Sequence, residues 1–202
     1  GVGVSYVDRM STAELHGHYP EIPVMSLVPV DWVDDGERLE TFGDSSQDFI
    51  IGNHLLEHCE NPIGVLSAWM RVLKPGGIVY MAVPDKRFTF DSRRLSTDWP
   101  HLLADRHDGG ISSRAGHYRE WAEMVEGLIG SAAAVRAQAL MAARYSIHFH
   151  VWTTTTLMAF LERCSHGLQL GFALREKVRN GAETLVVLQK LGAAQDGESG
   201  SR

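Results

Sequence analysis

The chain has 202 residues, with 19 Lys and Arg against 25 Asp and Glu, for a formal charge of −6. Its 44% apolar content can supply one sizeable core, while the acidic balance disfavours a protein built to neutralise nucleic-acid phosphates. Two cysteines, Cys59 and Cys164, exclude a disulfide framework or a four-cysteine zinc site, and the longest apolar run, Ile78 to Val83, is far short of the roughly 20 residues that span a membrane.

Val2 to Val7 is apolar and β-branched and predicts a buried strand ending at Asp8. Ser11 to Glu14 is a capping-box pattern that starts a short helix running to about Tyr19. Leu27 to Val33 reads as a second strand, with Pro29 pointing to an edge position. Asp48 to Ile51 is a third, short buried strand, and Asn53 to His58 opens a loop or helix after it. Asn61 caps the next helix, Pro62 takes its first position, and Leu66, Trp69, Met70 and Leu73 share a face. Lys74-Pro75-Gly76-Gly77 stops that helix, and Ile78 to Val83 follows as a buried strand. Strand, helix and strand with short connections signal a parallel α/β sheet.

From Asp85 to His117 the sequence is polar with little periodicity, and a long functional loop is the expectation. Helices are predicted over Tyr118 to Ile129 and Ser131 to Arg144. Another follows Thr153, where Leu157, Phe160, Leu161 and Cys164 share a face. Leu168 to Val178 and Glu183 to Leu191 form a strand pair across the hairpin signal Asn180-Gly181. Residues 192–202 read as a disordered tail.

The segment from Gln47 to Asp85 carries a composite of motifs: Asp48-Phe49, Leu56-Glu57-His58, Arg71-Val72-Leu73-Lys74-Pro75-Gly76-Gly77, and Pro84 after the strand. It resembles the second half of class I S-adenosylmethionine-dependent methyltransferases of the type 11 kind. Weaker similarity extends over roughly residues 4 to 191. Asp85 to Asp91 and His148 to Trp152 look like a bacterial branch of that family. The resemblance implies an α/β fold, a Rossmann-like methyltransferase sheet with helices on both faces and a C-terminal antiparallel strand pair. It implies a methyltransferase domain over residues 1–191, with 85–150 as a substrate-side loop and helical insertion. The family places its first strand and glycine-rich loop before the strand that Val4 to Asp8 matches. Here the sequence opens at Gly1, so a fragment lacking both is expected, with activity of its own in question.

By the same resemblance S-adenosylmethionine is the cofactor, bound by Asp8, Asp31, Trp32, Asn53 and His54. Asp8 would take both ribose hydroxyls, since one carboxylate has two oxygens for two vicinal donors. Asp31 and Trp32 would sit at the adenine edge, and Asn53 and His54 at the methionine end. Methyl transfer needs alignment first and a base only where the acceptor demands one. His54, Asp85 and His117 are the catalytic candidates, each equally readable as a structural hydrogen bond.

The implied partner is a small-molecule or saccharide-type acceptor, in a cytoplasmic setting without membrane or nucleic acid. A non-catalytic module keeping the fold is the competing reading, and a metal-dependent hydrolase is a weaker one. His54, His58, Asp85, His117, Glu120, His148 and His150 could supply metal ligands, but satisfied structural histidines are preferred and no metal is expected. Lys86, Arg87, Arg93 and Arg94, with Phe88 and Phe90 between them, read as a lid over the strand ends or as a solvated loop.

Overall fold

The computed structural model describes residues 1–23 and 26–192; most of the expected tail lies outside the described residues. In chain order its elements are β1 (Val7–Asp8), α1 (Thr12–His18), β2 (Trp32–Val33), β3 (Gln47–Ile51), α2 (Pro62–Val72) and β4 (Leu73–Pro84). There follow α3 (Trp99–Asp108), α4 (Arg114–Met124), α5 (Gly130–Ala142), α6 (Thr154–Glu162), β5 (Phe172–Asn180) and β6 (Glu183–Lys190). The strands form a parallel pair, β1-β2, and a mixed sheet in the order β3-β4-β6-β5. β3 and β4 run parallel, while β6 is antiparallel to both β4 and β5. The α/β class and the closing antiparallel pair are as expected, and Gly181 (φ +59°) supplies the left-handed residue that its turn needs.

Val79, Met81 and Val83 of β4 lie on one face with Val186 and Leu188 of β6. They pack against Ile63, Leu66 and Trp69 of α2 and Leu157, Phe160 and Leu161 of α6 to form the main core. On the opposite face Tyr80, Leu185 and Val187 are half-buried, and Ile51 is exposed. A second core joins α4 to α5 through Tyr118, Trp121, Ala133, Ala137 and Leu140, closed by Ile147 and Phe149. The two side-chain caps read from sequence are made, Ser11 accepting from the Glu14 amide and Asn61 from Gly64, and Thr153 caps α6 in the same way by accepting from Thr156.

Three expectations are corrected. Of Val2 to Val7 only the last residue joins a strand, and Val2 and Val4 are 79% and 52% exposed. Among the described residues this segment pairs with β2 alone, through Tyr6 and Asp8, and its other side faces an open cleft. The second strand is likewise cut to Trp32–Val33, because no neighbour among the described residues pairs with Leu27 to Val30. The stretch from Asp85 to His117 is not a loop. It forms 3-10 turns over Lys86–Phe88 and Phe90–Arg93, then α3 and the start of α4.

Candidate active site

Between the β1 segment and the free edge of β3 lies a cleft of about 330 Å³, lined by Gly3 to Val7 on one side and Gln47 to Gly52 on the other. Leu39, Phe42, Leu55 and Trp69 close it. Trp69 is held there by an indole N–H donated to the Gly36 carbonyl (3.0 Å), and Gly52 must be glycine, since a Cβ would lie 2.5 Å from the indole ring. Asp8 ends β1. Its Oδ1 accepts from the Met10 amide at 2.8 Å, and its Oδ2 has no partner among the described residues. Asp31 Oδ2 accepts from the Tyr6 amide at 2.8 Å and ties the two short strands together. Next to it Trp32, 49% exposed, meets Phe42 edge-on at 5.8 Å.

The carboxyl ends of β3 and β4 bring a second group together. Asn53 is exposed. His54 has φ +50°, a left-handed conformation that a non-glycine residue holds only when its surroundings compel it. Here its amide donates to the Ala82 carbonyl (2.9 Å), and its ring is fixed between two carboxylates. Nε2 lies 2.7 Å from Glu183 Oε2, and Nδ1 lies 3.3 Å from Glu57 Oε1. Glu57 is 1% exposed, and neither of its oxygens finds an aligned donor. Burial accordingly pushes its carboxyl above the ordinary range.

Asp85 is also at this end of the sheet, but both its oxygens are engaged. Oδ1 accepts from Arg87 N and Nε at 3.1 and 2.9 Å, and Oδ2 from Arg87 (2.6 Å) and from Thr154 N and Oγ1 (both 3.0 Å). The Arg87 guanidinium holds this carboxyl far below the usual carboxylate range.

Over these strand ends sits the 85–150 segment, and its basic residues do not form a groove. Arg94 is buried, donating to Asp91 Oδ1 (2.9 Å), to Glu120 Oε2 (2.8 and 3.0 Å) and to the His148 and Phe149 carbonyls (2.8 and 3.2 Å). His148 Nδ1 lies 2.6 Å from Asp91 Oδ2. Burial works against a charge on Asp91, and the bonds from His148 and Arg94 overcome it and keep the carboxyl low. Phe88 and Phe90 stay about half exposed, Phe90 with its ring 4.8 Å from that of His148. His117 is buried, its Nε2 3.0 Å from that of His101.

Of the residues expected from sequence, Asp8, Asp31 and Trp32 therefore gather at the β1-β2 end, and Asn53, His54 and Asp85 at the ends of β3 and β4. Glu57 and Glu183 were missed as site groups. Glu57 could have been noticed in the helical-turn spacing of His54 and Glu57, but nothing in the sequence joins Glu183 to a residue 129 positions earlier.

The family described as "Methyltransferase domain" matches residues 7–126. No curated protein sequence matches the chain. Among solved structures, a SAM-dependent methyltransferase of Methanosarcina mazei is 19% identical, with 92% of this chain and 80% of that one covered and a TM-score of 0.44. A Thermotoga maritima SAM-dependent methyltransferase described as a possible histamine N-methyltransferase is 14% identical, covering 94% and 83% at 0.47. A Pyrococcus horikoshii protein is 18% identical, covering 95% and 73% at 0.49.

Proposed function

Because the chain belongs to the methyltransferase domain family, we propose that it transfers a methyl group from S-adenosylmethionine to a small, hydroxyl-bearing acceptor of saccharide type. The family match over residues 7–126 carries this reading. The residues present fit the donor at its nucleoside end: a carboxylate with an uncommitted oxygen stands at the end of β1, beside an exposed indole. Asp8 would hold the ribose hydroxyls, Asp31 and Trp32 the adenine edge, and Asn53 and His54 the methionine end. The cofactor supplies a methyl group on a positively charged sulfur, already electrophilic, so the protein's work is alignment, exclusion of water and removal of one proton.

His54 is assigned that proton. Nδ1 faces the buried Glu57 Oε1, so Nε2, on the more open Glu183 side, is the nitrogen that takes the acceptor's hydroxyl proton, and the Glu183 charge stabilises the imidazolium that forms. Asp85, engaged on both oxygens, serves as a latch between β4 and the start of α6. The Glu183 carboxylate beside His54 suits an acceptor that bears hydroxyls. Residues 1–191 then act as one methyltransferase domain, with 85–150 as its acceptor-side cover.

Calorimetric titration of S-adenosylhomocysteine into the chain and into its Asp8→Ala variant tests this reading. One site in the parent is expected, weakened about 10²- to 10⁴-fold in the variant, the worth of charge-assisted bonds to two hydroxyls. A folded chain that binds no S-adenosylhomocysteine overturns the assignment and leaves a non-catalytic module in its place.

A further inference from the structure

Away from the cleft, three imidazoles and one carboxylate converge where α3, α4 and the segment before α6 meet. His101 and Asp105 lie one turn apart on α3, His117 comes from α4, and His150 from the chain leading into α6. His101 Nε2 is 3.0 Å from His117 Nε2 and 3.1 Å from Asp105 Oδ2, and His150 Nε2 is 3.5 Å from the same oxygen. One donor atom from each residue lies within 4.8 Å of all the others. The rings stand at 84°, 77° and 71° to one another, like blades around a common point. Four ligands about 2.1 Å from a tetrahedral zinc ion are about 3.4 Å apart, and the three close distances bracket that value.

A second observation points the same way. The Asp105 side chain is 0% exposed, and its Oδ2, aimed into the cluster, has no aligned hydrogen-bond donor among the described residues. The Ser113 hydroxyl holds only Oδ1. A bare carboxylate oxygen in a dry site is costly unless a cation meets it. His150 is fully buried, its Nδ1 has no partner among the described residues, and besides Asp105 its Nε2 meets the Glu60 carbonyl at a long 3.3 Å.

We propose that His101, Asp105, His117 and His150 bind one structural zinc ion that fastens the 85–150 segment together. Three imidazoles and a carboxylate suit zinc by ligand type. Four protein donors complete the tetrahedron and leave no open position, so the ion is a staple and takes no part in the chemistry at His54. His101, with its side chain 38% exposed, gives the ion a way in, and Ser113 orients the carboxylate from behind. The inference is independent of methyl transfer and would hold for a non-catalytic chain as well.

The test is metal analysis of the untagged full chain after loading with zinc and exhaustive dialysis, with cobalt substitution as a spectroscopic check. One equivalent of zinc is expected, together with the intense visible absorption of tetrahedral cobalt. Asp105→Asn and His117→Gln should each weaken zinc at least about 100-fold, beyond what loss of an outer-shell partner does. The exposed His107→Gln on the same helix should keep the full equivalent. A folded wild-type chain holding less than a tenth of an equivalent overturns the proposal, as does full retention in a folded Asp105→Asn, His117→Gln double variant. Should those variants fail to fold, the cobalt spectrum of the wild type still decides, and its absence overturns the proposal.

Discussion

His54 concentrates several constraints in one residue. A left-handed backbone, a 2.7 Å contact with Glu183 and a buried Glu57 beneath it all fix one ring in one place. Replacing His54 by Ala should lower kcat by about 10²- to 10⁴-fold, the usual worth of a positioned base. Asp85→Asn should behave differently. Its bonds to Arg87 and Thr154 hold structure, so urea denaturation should show a loss of about 2 kcal/mol, with the shape of the pH–rate profile unchanged. His54 was legible in the sequence because it follows a short strand inside a recognisable block of motifs. Its partner Glu183 was not, because a side chain brought in by sheet pairing from 129 residues away leaves no local periodicity.

At the scale of elements, the capped helices were the most readable parts. Ser11, Asn61 and Thr153 satisfy otherwise orphaned amides by local chemistry, and each is encoded within three residues of its helix. Thr153→Ala should cost about 1 kcal/mol, read as a fall in thermal midpoint. Gly52→Ala should cost about 1–3 kcal/mol by the same measurement, since the added methyl has nowhere to go but into the Trp69 ring. The 85–117 stretch defeated pattern reading for a physical reason: its buried face is polar. Asp91, Arg94, Asp105 and His117 are all interior, and an apolar stripe cannot be found where ion pairs and imidazoles do the packing. Val2 to Val7 failed the other way. Its composition suits a strand, but a strand is made by neighbours, and among the described residues only β2 pairs with it.

Across the whole molecule, buried histidines make stability depend on pH. Burial pushes His58 from 6.5 down to about 4, so the folded chain keeps this ring neutral where the unfolded chain would protonate it. Its contribution is complete above about pH 6.5 and is lost as pH falls toward 4, up to about 3 kcal/mol for the single group. Urea midpoints at pH 7 and pH 4.5 should therefore converge more in His58→Gln than in the parent. No helix among the described residues is long and apolar enough to cross a membrane. The sheet that organises all this is dressed unevenly: Val79, Met81, Val186 and Leu188 are sealed under α2 and α6, while Tyr80, Leu185 and Val187 opposite are only half covered. Unfolding can newly wet only what was dry, and that second face is already partly in water. Its denaturant slope and heat-capacity increment should fall below those of a fully sandwiched sheet of equal length, giving a shallow transition.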